Sequence, residues 1–529
     1  MASSLEAQPD NRFEPFEWVQ YRAASAINSF TSDNTYLYAG TANSGILRLH
    51  LFTQEFSEPI TRAQGLSGNS IKAVHSAFGF LWAASDRGLE FSFDKRGDWH
   101  LISKESLGLG PFAEIIKIGN SEGYLWLRTS TLYLKCDRTT GYLLSKLPVP
   151  DENEITWSSG TYDLHSGILD LIPEFTIWGG WLQTLDIFIT PAGKEIRLIT
   201  HFIDNFGDLW IGTSDGTIFY GDNTMKSLTP LTFGLAGNDI QAISGHESFW
   251  LAGRNMGTES GVTYFDLGRK INDRYEFDEI INMDPVPLFS ILEQEKNIWF
   301  GGDGKLLVYH NEDYWRTLGI DRGLPSARIN CIAGTSGLIW LGTSNGLWLL
   351  DPKTKRIKKS ELEIIFEENF IYDLIFNDGQ LWIAAGTGLF IYDLELNKLY
   401  SYRKFGNYVL DDLFMPKYSG FTDLELKKGI IYAGNKFGIL AFNIKSKNWS
   451  KAVDSNIWGN ADIRSFTVID QYIIITEGKI ITIFNRKNDK TIQYSFPFIG
   501  VVNNLYFSNS KLWLGTTEGL ISIDWKKDR

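Results

Sequence analysis

Apolar residues fall in short runs broken by polar turns along most of the chain, and the runs repeat one phrase. An apolar residue, an aromatic, a second apolar residue and two small residues lead into a polar turn with Gly and a further apolar stretch. The phrase reads YLYAGTANSGIL around Tyr38, LWAASDRGLEF around Trp82, LWIGTSDGTIFY around Trp210, IWLGTSNGLWLL around Trp340, LWIAAGTGLFIY around Trp382 and LWLGTTEGLISI around Trp513. Its aromatic recurs about every 43 residues, at Tyr38, Trp82, Trp126, Trp210, Trp250, Trp299, Trp340, Trp382, Tyr432 and Trp513. Two double-length gaps hold decayed copies near Ile168 and Ile474, which brings the count to twelve units. A unit this short cannot bury its apolar face alone, so the repetition predicts a stacked or closed array.

A second signature begins eleven residues before the aromatic and runs apolar, any residue, small or polar, apolar. It appears as INSF from Ile27, IKAV from Ile71, LFSI from Leu288, INCI from Ile329, IYDL from Ile371, FTDL from Phe421, IRSF from Ile463 and VNNL from Val502; IQAI from Ile240 sits one residue nearer its aromatic. Polar or Gly-containing hairpin loops separate the two signatures, and an outer strand such as YWRTL from Tyr314 follows. Each unit is thus predicted to be a four-stranded antiparallel meander, the blade of a β-propeller. The small pair after the aromatic, such as Gly212 and Thr213, lets blades approach where they converge.

The expected fold is all-β: about twelve four-stranded blades in two propeller rings, because propellers typically have four to eight blades per ring. Residues 1–12 are expected to be a disordered tail, 13–270 a first propeller and 271–529 a second. A single large ring and a seven-plus-five division are the rival partitions. FEWVQY from Phe16 resembles an outer strand, so residues 13–21 are placed to complete the last blade and remove its open edge. That closure implies that the sequence holds the whole propeller region.

Composition supports this class. The chain of 529 residues is 43% hydrophobic and 14% aromatic with 50 Gly, too apolar for disorder and too rich in turns for a helical protein. A net charge of -13 argues against nucleic acid as a partner. Cys136 and Cys331 belong to distant repeats, so no structural disulfide is expected. No apolar stretch reaches the length of a membrane span, and MASSLEAQPDNRFEP lacks a signal peptide pattern. The chain is therefore read as cytosolic or as a mature form.

LWIGTSDG around Trp210 and IWLGTSNGLWLLDPKT around Trp340 resemble the two-component regulator propeller repeat, and the resemblance runs through nearly the whole chain. It weakens at Trp126, where Arg128 replaces the small residue, and fails in the fourth unit. Proteins of this type include periplasmic sensor halves of hybrid histidine kinases, commonly for glycans, and components of the bacterial type IX secretion route. The resemblance implies a ligand- or partner-binding propeller in the periplasm or outside the cell, with the cytoplasm as the alternative. Nothing in the sequence resembles a kinase, a receiver or a DNA-binding helix, so it reads as a free-standing propeller.

Candidate binding residues are those that break the repeat. The third position of the second signature is small in most units (Ser29, Ala73, Ala242, Ser290, Cys331, Ser465) but is read as Lys117, His201, Asp373, Asp423 and Asn504 in others. A charge on a crowded inner strand is costly unless paired or wet, so these residues are expected to line a water-filled channel. Asp373 and Asp423, in adjacent or nearly adjacent units, could act as an acid/base pair or bind a cation, but a water-filled channel that tolerates polar side chains accounts for them first. Loops joining units, with Asn69, Asp86, Arg87, Asp215, Asn238, Arg254, Arg328 and Asn345, form a candidate face, although such residues are also ordinary turn chemistry. Residues 174–188, with Trp178 and Trp181, and the insertion 404–421 are further candidate contacts. The seven His show no metal-ligand spacing, and no nucleotide or hydrolase motif is present, so neither a metal nor a cofactor is expected. The leading expectation is a non-enzymatic scaffold that binds a protein partner or an oligosaccharide-like ligand in a bacterial envelope or extracellular assembly. A glycan-sensing domain and a propeller lyase or glycosidase are the alternatives.

Overall fold

Each regular repeat becomes one antiparallel sheet whose strands follow in chain order. A computed structural model describes residues 13–160, 168–254, 260–267, 271–277, 281, 283–294, 296–310, 314–335, 337–407, 416, 419–459 and 462–525. The expected tail over residues 1–12 and part of the 404–421 insertion lie outside the described residues. The first sheet is typical: Ile27–Ser32, Tyr36–Thr41, Ile46–His50 and Phe56–Ile60. The second strand, which carries the repeat phrase, is covered on both faces; every residue of Leu209–Thr213 and of Ile339–Thr343 is buried. This is why the phrase reads as a nearly continuous apolar run rather than a strict alternation.

Eleven sheets form among the described residues, nine of them four-stranded as a propeller blade requires. The fourth repeat makes no sheet of its own. Its Thr156–Trp157 joins the sheet of Ile115–Ser121, whereas Thr176–Ile177, Leu182–Thr184 and Ile187–Ile189 extend the sheet of Leu209–Thr213. The decayed copy near Ile474 is a regular blade, from Ser465–Ile469 to Lys490–Tyr494. The last sheet is completed by the N-terminal strand Trp18–Tyr21, which lies beside Gly519–Ile523 and covers the edge that strand would otherwise expose.

The chain forms two compact units. One holds the residues up to Ala236, Phe265–Tyr275 and the stretch from Ile521; the other holds Gly237–Tyr264 and Glu276–Leu520. The division expected after residue 270 thus differs from the observed one, which gives Ile240–Gly245 and Ser248–Gly253 to the second unit. The reason is local packing: Asn503 Nδ2 donates to Ile240 O at 3.0 Å, and Gly515 lies against Ile240.

Within the second unit seven first strands neighbour one another in order: Ile240–Gly245, Leu288–Gln294, Ile329–Gly334, Ile371–Asn377, Asp423–Lys427, Ser465–Ile469 and Val502–Ser508. The seventh returns to the first, so the circuit closes. The small residue two after the aromatic makes these approaches possible. A Cβ on Gly342 would come within 2.3 Å of Cys331 Sγ and 2.7 Å of Ile371, the leading residue of the next blade. Gly212 meets Ile27 in the same way in the first unit.

Nine of the first strands carry a β-bulge between the first and third residues of their signature, as at Ile27/Ser29, Ile329/Cys331 and Ile371/Asp373. The residue between has no ladder partner, and a bulge of this kind re-aims its side chain. In the fifth repeat the bulge lies between Leu198 and Thr200, one residue earlier than the offset of eleven implies. Thr200 therefore takes the third position there. His201 pairs with Ile211, as Phe30 pairs with Ala39, because a shift of one residue moves a side chain to the opposite face of its strand.

Candidate functional site

The second-position residues of the second unit, five of them at bulges, converge on one cavity of about 630 Å³. All seven second-position residues, Gln241, Phe289, Asn330, Tyr372, Thr422, Arg464 and Asn503, line it. Asn330 and Asn503 also join neighbouring blades, since their Nδ2 atoms donate to Ile371 O at 2.8 Å and Ile240 O at 3.0 Å. Asn28 makes the same bond to Ile71 O in the first unit. An asparagine at this position thus locks two blades, whereas the phenylalanine, tyrosine, threonine and arginine that replace it give each side of the cavity a different chemistry.

Third-position residues Asp373, Asp423, Ser465 and Asn504 contribute to the same lining. Asp373 accepts from Leu374 N (2.8 Å) and from Leu424 N of the next blade (2.9 Å). Asp423 repeats the pattern with Leu424 N (3.1 Å) and Phe466 N (2.7 Å). Burial raises both carboxyls above their ordinary range, and the charge of Asp373 pushes Asp423 up further. Glu425 extends the series, taking Thr467 Oγ1 at 2.8 Å and Val468 N at 2.6 Å, and burial raises it to about 7. Asn504 Oδ1 is buried and has no hydrogen-bond partner in the protein.

The cavity also draws on the loops between blades. Arg328 is held by a backbone bridge to Asp303 and by Ser344 N, which donates to Arg328 O at 2.9 Å. Its guanidinium lies over the rings of Phe289 (4.9 Å) and Phe370 (5.4 Å), and Nε donates to Asn330 Oδ1 at 2.7 Å. Arg464 Nη1 donates to Asn503 Oδ1. Arg254 is neutralised by Asp239 at 3.0 Å. Lys436, Phe437 and Asp462 complete the charged and aromatic part of the lining.

Five of the residues singled out from sequence, Asp373, Asp423, Asn504, Arg254 and Arg328, therefore meet in one place. Lys117, His201, Trp178 and Trp181 lie in the first unit. Lys117 is buried on Ile115–Ser121, and His201 sits on Glu195–Ile203 outside the third position. Trp178 is 61% exposed, while Trp181 packs edge-on against Phe219 at 5.1 Å as part of the core around Ile211. Asp215 serves its turn, accepting from Thr213 Oγ1 and Thr217 N, and faces Arg274 at 3.5 Å. Sequence reasoning missed most of the lining because it treated the second position as free. That absence of a rule, at one site between constrained neighbours, was the available signal.

Among the described residues no group of three or more His, Cys, Asp or Glu is arranged to hold a metal ion, and no helix is long and apolar enough to cross a membrane. Cys136 and Cys331 are both buried and unpaired with each other, and burial raises both thiols.

No family model matches the chain, and no curated protein matches it. Among solved structures, the extracellular domain assigned to the hybrid two-component system BT4673 of B. thetaiotaomicron aligns with a TM-score of 0.42 and 15% identity, over 94% of this chain and 70% of that one. The extracellular domain of BT3049 from the same organism aligns with a TM-score of 0.43 and 15% identity, over 94% and 75%. The WD40 repeats of RRP9 align with a TM-score of 0.40 and 9% identity, over 54% of this chain and 94% of that one. Scores this low carry no information about what this chain binds; the propeller assignment stands on its own sheets and their closed circuit.

Proposed function

We propose that the protein is a non-enzymatic binding propeller that takes its ligand in the second-unit cavity, in a bacterial periplasm or outside the cell. The observation that carries this reading is the convergence of all seven second-position side chains on one cavity. Rigid backbone presents variable side chains there, the arrangement from which recognition sites are usually built. The volume lies within the range of small-molecule and cofactor sites. The periplasmic or extracellular placement follows the repeat resemblance, and a sensing role would require a signalling element on another chain or in another part of the protein.

The raised Asp373–Asp423 pair gives the enzymatic reading its one specific support, since a carboxyl held protonated near neutral pH suits general acid chemistry. Against it, oxygens of both carboxyls accept backbone N–H groups that tie successive blades together. The pair is thereby occupied in the scaffold.

A thermal-shift panel of oligosaccharides, peptides and small acids tests the proposal. A ligand at a hundred times its Kd stabilises by about 2.7 kcal/mol, a readily measured shift. The shift is expected to vanish in Thr422→Trp, which fills the cavity, and to survive in Asp423→Asn. A ligand that still stabilises Thr422→Trp fully overturns the site, and one consumed by the wild type but not by Asp423→Asn overturns the non-enzymatic reading.

A further inference from the structure

We infer that the ligand of this cavity carries a carboxylate, which Arg328 and Arg464 recognise. The inference rests on the cavity being the binding site and adds the chemical class of what enters it. Arg328 is half-buried and spends only Nε on the protein, at Asn330 Oδ1 (2.7 Å). Two aromatic rings and a pinned backbone fix the rest of the guanidinium. Among the described residues no carboxylate pairs with it, in contrast to Arg254 with Asp239 (3.0 Å) and Arg274 with Asp215 (3.5 Å). Arg464 likewise has no acidic partner among the described residues, although Asp462 stands two positions away, and Asn503 orients it.

An ordered arginine without a counter-ion has already lost much of its side-chain freedom, and its planar fork matches a carboxylate in a bidentate pair. Phosphate would meet the same forks but brings a second negative charge into a cavity whose lining also holds Asp462. A singly charged carboxylate suits that balance better. Asn504 Oδ1, buried without a donor, asks in addition for a hydroxyl or amine on the same ligand. The class is therefore a small carboxylic acid bearing hydroxyl or amino groups.

Calorimetric titration of the full chain with galacturonate, glutamate and inorganic phosphate, each to ~10 mM, tests this, with galactose as the neutral counterpart of galacturonate. At least one carboxylate is expected to bind saturably and more tightly than phosphate, and galactose is expected not to bind. Arg328→Gln and Arg464→Gln should each weaken the carboxylate at least tenfold, the cost of losing one charged hydrogen-bonded partner. Lys428→Gln, an exposed lysine paired with Asp470, should not. Arg464 is exposed, so its variant folds even where Arg328→Gln does not. Failure of both carboxylates to bind, stronger binding of phosphate or galactose, or affinity unchanged in both arginine variants overturns the inference. A neutral ligand that Thr422→Trp blocks would overturn it while leaving the binding reading intact.

Discussion

Asp373 and Asp423 occupy a position that other blades give to serine, and the serines show what the position does. Ser29 Oγ accepts Val74 N at 3.1 Å and Ser465 Oγ accepts Leu505 N at 3.4 Å, each across to the next blade. The aspartates perform the same junction with an acceptor that can lose its proton. Their values, like that of Glu425, are raised on folding, so the folded state binds more protons than the unfolded one. The stabilisation they contribute is complete below the ordinary carboxylate range and is lost as pH rises through the raised values, for Glu425 from 4.5 to about 7. Chemical denaturation should therefore show stability falling from pH 5 to pH 8. Asp423→Asn keeps an acceptor for Phe466 N without the charge, and should flatten that fall. A steeper fall in the variant would contradict the assignment. The sequence marked these aspartates as departures from a small-residue rule, but their partners are backbone groups of the neighbouring blade, which no spacing within one repeat reveals.

At the scale of elements, the repeat was legible because two signatures keep a fixed offset, and that offset is the hairpin joining the first two strands of a blade. What it concealed was the bulge. Ile329 and Cys331 read as alternating strand residues, and nothing in INCI shows that Asn330 is extruded from the ladder. The same limit misplaced His201, since one additional residue in its hairpin shifts the bulge to Leu198/Thr200. The fourth repeat lost its apolar phrase, and its pieces serve adjacent sheets, with Ser159 Oγ accepting Phe30 N at 2.6 Å. The closing strand Trp18–Tyr21, in contrast, was readable, because an outer strand without its own blade has only the last sheet to join. Trp18 and Val19 are essentially fully buried there. Deleting residues 13–21 should cost roughly 3–5 kcal/mol, the burial of two large apolar side chains, and expose the edge of Gly519–Ile523 to pairing with other chains. Denaturation midpoint and size-exclusion profile report both effects; an unchanged midpoint in a monomeric variant would contradict the closure.

For the whole molecule, division of labour among repeat positions separates fold from function. The aromatic and the small pair are spent on packing, the third position on junctions between blades, and the second position is left to vary. In the second unit those variable residues share one cavity, whereas Lys117, His201, Trp178 and Trp181 are held in the first. Hydrogen exchange with and without a ligand identified by the stabilisation panel tests this allocation most directly. Binding is predicted to slow exchange in Ile329–Gly334, Ile371–Asn377 and Ser465–Ile469 together, strands of three blades of the second unit next to the side chains that line the cavity. Protection confined to the first unit, around Trp178 and residues 174–188, would contradict the account.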